Sequence, residues 1–403
     1  MSETIYTPKW INKSFLETAL RSGYENHSIT ITSYEVTRAT VDGENYGSNM
    51  YRVTIFFTRG SQSHKTSLVI KSELEEEEIS KVMSEAKTFQ RESEALEIIM
   101  PAIHQLLEQT SSAEFQPFAA KCFYIHTNFP FALVLEDLKE KGFRTAERTR
   151  GLDLQHCLLV MRKLARCHAV SAILHQKNPE LFQKYESLFD EKRRKALTQF
   201  FEVGAKNLAA EVDKWPKYKN IYSGKLHAFS DGIVDFLIKD AAVDGNDFNV
   251  FLHGDLWVNN IMFRYSEDTG DVVDLRFVDF QLSYFSNAAQ DLQYFLNTST
   301  ELDLLDKHDI LVREYHKTLG KTFALLGYEQ LHPTLEQLHK QMEKKGRYTV
   351  AMALTVLPIM LSDRNKVPDM EKLVKDGESV YFSDQYKQVL RKLLPIFERK
   401  GWL

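Results

Sequence analysis

Cysteine is scarce in this chain, with three in 403 residues: Cys122, Cys157 and Cys167. Three thiols exclude a disulfide framework, and their spacing fits no metal-ligand pattern. Cys157 and Cys167 fall in one apolar helical stretch and read as core thiols, which suits a reducing compartment. Glycine and proline are sparse as well, at 17 and 10 residues. That excludes collagen-like, linker-rich and low-complexity architectures. Long hydrophobic runs are missing. The longest, Val350 to Leu361, is interrupted by Thr355 and Pro358 and is too short to span a bilayer. The opening MSETIYTPKW lacks a basic region followed by an apolar one, so no signal peptide is expected. Nor is there an excess of positive charge. Lys plus Arg number 51 against 56 Asp plus Glu, a net charge of −5. No global basic field draws the chain to nucleic acid or to an anionic membrane. The expectation is a soluble, cytoplasmic protein with neither as a partner. Oligomeric state leaves no mark on the sequence.

What is present is globular: 43% hydrophobic and 27% charged residues. The length fits two to three domains or one bilobal unit. Residues 8 to 22 have helical spacing, with Pro8 suited to a first turn and Ile11, Phe15, Ala19 and Leu20 on one face. Three strands are predicted next, over Ile29–Thr40, Met50–Thr58 and Thr66–Ser72. Turn residues Arg59 to Ser63 join the last two. The run Glu75 to Glu78 reads as the solvated start of a helix, favoured by the helix dipole. A helical pattern covers Ile79 to Leu107, with a break predicted at Pro101. Ala119–Ile125 and Phe131–Leu135 are further strand candidates. Beyond Glu136 helices dominate, starting with Leu152–Leu174, continuing over most of 181–245 and resuming from about residue 288 to the end. The layout is α+β and bilobal. A small antiparallel-sheet lobe spans 1–135, a hinge 136–140, and a larger helical lobe 141–403, with a cleft between the lobes as the expected ligand site.

The chemistry concentrates in His253-Gly254-Asp255-Leu256-Trp257-Val258-Asn259-Asn260, preceded by the apolar Val250-Phe251-Leu252. Asp279 follows nineteen residues after Asn260, in Phe277-Val278-Asp279-Phe280-Gln281, behind a predicted β-hairpin. An Asp, an Asn five residues on, and an Asp closing a hairpin form the layout of a phosphotransferase catalytic loop. Phosphoryl transfer needs a carboxylate at the acceptor hydroxyl, hence Asp255, and metal at the nucleotide phosphates. Mg²⁺ prefers carboxylate and amide oxygens, hence Asp279 and Asn260. His253 reads as an orienter of this loop, and no further ligands stand nearby to make it a metal site.

The strand-rich part supplies matching pieces. Val41 to Asn49 lies between two strands, and Gly43, Asn45, Gly47 and Ser48 are small enough to let backbone N–H groups approach phosphate. Lys71 ends an otherwise apolar strand, as the phosphate-pairing lysine of kinases does. Glu92 on the next helix is its candidate partner, with Glu85 and Glu94 as rivals. Glu136-Asp137-Leu138 closes the strand at the lobe crossing, where backbone groups can meet an adenine edge. Specificity comes from the order of these parts along the chain; no single piece carries it.

With these motifs the sequence resembles the insect ecdysteroid kinase-like, or CHK kinase-like, family. That family lies within the aminoglycoside phosphotransferase and choline kinase group of protein-kinase-like folds. The resemblance spans nearly the whole chain from about Trp10. Its most specific parts are His253 to Met262, with Trp257 and the Asn pair, and Val278-Asp279-Phe280-Gln281. Phe89-Gln90-Arg91-Glu92, Leu135 to Leu138, Leu164 to Ala169 and Asp291 to Leu296 add weaker support. The resemblance implies an ATP- and Mg²⁺-dependent O-kinase with Asp255 as base and Asn260 and Asp279 as metal ligands. Lys71 and Glu92 would be the nucleotide-aligning pair, and Asp291 would brace the catalytic loop. His168 reads as a buried packing residue. The implied acceptor is an ecdysteroid or a hydroxylated xenobiotic in detoxification. A polar acceptor such as choline or an aminoglycoside, or a non-catalytic binding role, stays open on the residues alone. A protein-kinase role does not fit, because no Ala-Pro-Glu segment follows Asp279.

Overall fold

Gly60 and Ser61 make the tightest turn in the amino-terminal sheet. Gly60 takes φ +60°, a conformation open to glycine, and this pairs Arg59 directly with Gln62. The third strand therefore starts at Gln62, four residues before the sequence pattern shows it. In this computed structural model, residues 7–39, 48–73, 87–109, 115–362 and 382–403 are described. Strands β1 (Ile29–Arg38), β2 (Asn49–Arg59), β3 (Gln62–Ser72), β4 (Cys122–His126) and β5 (Ala132–Glu136) form one antiparallel sheet in the order β1-β2-β3-β5-β4. Alternation gives the sheet two faces. Val53, Ile55, Phe57, Leu68 and Ile70 are buried against Leu16, Ala19 and Leu20 of the helix Lys13–Gly23. Each such Val, Ile, Leu or Phe side chain stabilises the fold by roughly 1.5–3 kcal/mol. That helix starts five residues after Pro8, because the Asn12 side chain accepts the Phe15 N–H at 3.1 Å and caps it.

Pro101 breaks nothing. The helix Thr88–Glu94 passes through a wide π turn at Ala95–Ile99 into the helix Met100–Glu108, which has Pro101 in its first turn. The first turn of a helix has no need of the missing N–H. The predicted helix start at Glu75 to Glu78 lies outside the described residues.

Beyond β5 a 3-10 turn at Leu138–Lys141 leads to β6 (Phe143–Thr145) and the long helix Leu154–Lys177. The helix is capped by the Asp153 side chain, which accepts from the His156 N–H. Cys157 and Cys167 are buried in it as free thiols. β7 (Asn249–Leu252) enters the catalytic-loop motif. The predicted hairpin is β8 (Ile261–Tyr265) and β9 (Val272–Phe277), joined by β6 in a three-stranded sheet. An unforeseen strand, β10 (Tyr284–Asn287), pairs antiparallel with β7 just before the predicted helices resume. Helices Ala289–Thr298, His308–Leu326, Leu335–Lys344, Gly346–Thr355 and Asp384–Arg399 build most of the rest. The described residues thus give an antiparallel-sheet amino-terminal part and a mainly helical carboxy-terminal part, as expected. No helix among them is long and apolar enough to cross a membrane.

Candidate active site

Lys71 sits on the sheet face opposite the apolar one. Its ammonium donates to Glu92 Oε2 at 2.6 Å and to Asp279 Oδ1 at 2.7 Å. Lys71 is 4% exposed and Glu92 1%. Burial alone would lower the Lys71 pKa, but the Asp279 and Glu92 carboxylates outweigh it and hold the ammonium above its ordinary value. Burial pushes Glu92 up, opposed by the Lys71 charge. One cation therefore joins β3, the Thr88–Glu94 helix and the loop after β9. Of the rival partners, Glu94 turns instead to Lys184 at 3.5 Å and Gln90 at 3.0 Å. Glu85 lies outside the described residues, as do Gly43, Asn45 and Gly47. Ser48 is described and buried just before β2.

The segment around Asp255 is held from several sides. Asp291, in the first turn of the helix Ala289–Thr298, accepts the backbone N–H of His253 at 2.7 Å and of Gly254 at 3.0 Å. His168, wholly buried, bridges Asp291 at 3.4 Å and the Tyr315 hydroxyl at 2.8 Å, so it does more than pack. The His253 ring spans the loop: Nε2 donates to Val278 O at 3.0 Å, which leaves Nδ1 to accept the Asp255 N–H at 3.3 Å. Gly254 has φ +79°, and a Cβ there would lie 2.1 Å from Leu282 O. Only glycine fits.

Asp255 has both carboxylate oxygens engaged. Oδ1 accepts from the Tyr294 hydroxyl at 2.5 Å and Oδ2 from Asn260 Nδ2 at 2.9 Å. The same amide nitrogen donates to Asp255 O at 2.9 Å. Both Asn260 N–H bonds are thereby used, and its carbonyl oxygen is the end left to act as a ligand. Burial raises the Asp255 pKa, and the nearby Asp279 charge adds to this. The Tyr294 hydrogen bond, His253 and Asn260 oppose it. Burial, then the Asp255 charge, lifts the Tyr294 phenol well above its usual value, so Tyr294 stays a donor.

Asp279 takes φ +68°, a left-handed conformation unusual for a residue with a side chain. Such backbone costs about 1–3 kcal/mol and concentrates where function needs it. Val278 N donates to Asn260 O at 3.0 Å, so the hairpin returns Asp279 beside Asn260. Two oxygen donors, the Asn260 carbonyl and the second Asp279 carboxylate oxygen, suit a hard divalent cation. No group of three or more His, Cys, Asp or Glu gathers as a metal site among the described residues. One or two protein ligands suffice where substrate phosphates complete the coordination.

At the lobe crossing Leu138 is buried, and Glu136 pairs with Lys141. The intervening Asp137 is 2% exposed and accepts from Arg52 and Ser67. Sequence reasoning missed Arg52 and the side-chain roles of Tyr294 and Asp137. Tyr294 lies within the quoted Asp291–Leu296 motif, three residues from Asp291 and thus on the same helix face. Arg52 and Asp137 lie 85 residues apart with no local pattern to join them.

The assembled groups and the α+β architecture define a phosphotransferase with an alcohol group as acceptor. A family match over residues 42–350 completes the identification: the chain belongs to the ecdysteroid kinase-like family. Among solved structures, it is similar to an ethanolamine kinase of Plasmodium vivax at 16% identity, with a TM-score of 0.45 and 91% of this chain and 83% of that one covered. A choline/ethanolamine kinase family protein from Mesorhizobium loti shows 12% identity and a TM-score of 0.38, over 92% of this chain and 91% of that one. A glucosamine kinase shows 14% identity and a TM-score of 0.37, over 89% and 83%. Family membership rests on the 42–350 match and not on these distant structures. A comparison with curated proteins returns no match.

Proposed function

We infer that this chain transfers the γ-phosphoryl group of ATP to a hydroxyl of a small lipophilic acceptor of the ecdysteroid class. The observation that carries the reading is the single Lys71 ammonium bonded to both Glu92 and Asp279, with Asn260, returned beside Asp279 by the β8–β9 hairpin, bonded to Asp255. Lys71, held charged and aligned by Glu92, would pair with the nucleotide phosphates. The backbone of Gly43 to Ser48 and of Glu136 to Leu138 would hold the phosphate and base ends. Asn260 and Asp279 would hold Mg²⁺, which when bound neutralises charge on the phosphates. Asp255 accepts the proton of the acceptor hydroxyl as the new O–P bond forms and the bond to the β-phosphate oxygen breaks, releasing ADP. His253 and Asp291 fix the loop that carries it.

The family's description supports an ecdysteroid-like acceptor, and so do the surroundings of Asp255. Trp257 packs against two large apolar clusters, and Tyr294 belongs to the carboxy-terminal one together with Tyr348, Leu357 and Leu361. A hydroxyl on an apolar skeleton matches that environment better than a free cation does. Domain limits of 1–135, 136–140 and 141–403 follow from the same reading. So does a cytoplasmic location, where ATP is abundant. The test is Mg²⁺-dependent ADP release with a panel of ecdysteroids, other hydroxylated lipophiles, choline and aminoglycosides. Stimulation by the ecdysteroids is expected. Stimulation by choline or an aminoglycoside alone contradicts the acceptor assignment.

A further inference from the structure

Arg52 stands in β2 directly opposite Val69 of β3. Residues directly opposite share a face, and residues two apart on a strand share one too. Arg52 is therefore on the face of Lys71, which looks toward Asp279 and the helical part. The other face carries the buried apolar side chains Val53, Ile55, Leu68 and Ile70. Ser67 lies four residues before Lys71, about 13 Å along the strand at about 3.3 Å per residue. A nucleotide whose phosphates meet Lys71 and whose base points to the lobe crossing passes beneath Arg52 and Ser67.

Among the described residues, the guanidinium of Arg52 is anchored by one edge only. Nε donates to Asp137 Oδ2 at 2.6 Å and Nη2 to Oδ1 at 3.4 Å. Ser67 Oγ donates to the same Oδ2 at 2.7 Å, and the Lys139 N–H to Oδ1 at 3.1 Å. Burial would raise the Asp137 pKa, but these donors together hold it below its ordinary value, so the carboxylate stays ionised. Asp137 is almost wholly enclosed, whereas the Arg52 side chain keeps 22% of its surface exposed. Edge-on pairing fixes the plane of the guanidinium and leaves its faces for another partner. A planar, weakly hydrated cation with a preset orientation is suited to stacking on an aromatic ring. Because Asp137 and Ser67 already fix that plane, little ordering remains to be done on binding.

We propose that Arg52, held in plane by Asp137 and Ser67, is a base-recognition residue: it stacks on the nucleobase of the bound nucleoside triphosphate. This rests on the phosphotransferase reading above and adds to it a residue class, an arginine–purine stack, at the base end of the site.

The experiment measures, by calorimetry in Mg²⁺ buffer, the affinities of wild type, Arg52→Ala and Arg52→Lys for ATP, adenosine and inorganic tripolyphosphate. Thermal melting of each protein confirms that it is folded. Arg52→Ala is expected to bind ATP and adenosine about tenfold more weakly and tripolyphosphate as wild type does. Arg52→Lys, which keeps the charge and loses the plane, is expected to follow Arg52→Ala, and it decides the matter where the alanine variant does not fold. Unchanged affinities overturn the proposal, and so does an equal loss for all three ligands, the signature of a purely structural ion pair. Wild-type binding by Arg52→Lys also overturns it, since charge would then suffice. Wild-type protein that binds tripolyphosphate but not adenosine contradicts base stacking alone. Protein that binds none of the three contradicts the phosphotransferase reading itself.

Discussion

Asp255 accepts a hydrogen bond on each carboxylate oxygen, and the shorter of the two comes from Tyr294. In the proposed reaction this contact does two things. It aims the carboxylate toward the acceptor, and it opposes the burial that would otherwise favour the protonated acid. Tyr294 is thus a positioning residue, since its hydroxyl acts through Asp255. Tyr294→Phe keeps the buried ring and removes only the donor. The expected outcome is a fall in kcat of about tenfold with the KM for ATP unchanged, because misplacing the base affects the transition state and not nucleotide binding. Steady-state kinetics with ATP and acceptor varied in turn check this. A parallel rise in the KM for ATP would show a general loss of structure instead.

Short elements carry these residues, and they depend on contacts between segments distant in sequence. His104, on the helix Met100–Glu108, accepts the Phe118 N–H at 3.0 Å, and Phe118 O accepts the Phe277 N–H at 2.7 Å. Phe277 ends β9, two residues before Asp279. Burial, with the Arg276 and Lys163 charges, depresses the His104 pKa from 6.5 to about 4. A histidine neutral in the fold and protonated more readily when unfolded contributes stability above pH 6.5, and the contribution is lost as pH falls through about 4. Replacing His104 with Gln, whose carbonyl accepts the same N–H without titrating, is expected to reduce the acid-dependent loss by about 3 kcal/mol. Unfolding curves of both proteins between pH 7 and pH 4 give that difference.

Which contacts the sequence revealed follows from their reach along the chain. Asp255, Asn260 and Asp279 sit in one loop and hairpin, so their spacing alone announced them. Lys71 stood out as a charge on an apolar strand, but the fold, not the sequence, decided for Glu92 over Glu94 as its partner. The Arg52–Asp137 pair gave no signal, because nothing local marks a pairing across 85 residues. β10, four residues long, was hidden between a loop and a helix for want of any alternation long enough to register. Pro101 misled because the π turn before it, a tertiary accommodation, leaves no pattern in sequence.

At the scale of the molecule, the Lys71 ammonium is one tie between the sheet part and the helical part, bonded at once to the helix beside β3 and to the loop after β9. The Glu92 and Asp279 carboxylates share that one cation, which fixes both side chains in place. An arrangement of this kind serves a transfer reaction in which the protein's task is placement and charge stabilisation. The central claim is that Asp255 takes the acceptor proton within this assembly. It is tested most directly by comparing Mg²⁺-dependent phosphoryl transfer from ATP by wild type and Asp255→Asn, with ATP affinity measured on both. The account predicts turnover by the wild type, a loss of about 10²-fold or more in the variant, and ATP affinity within twofold. Equal turnover by the two proteins would contradict it.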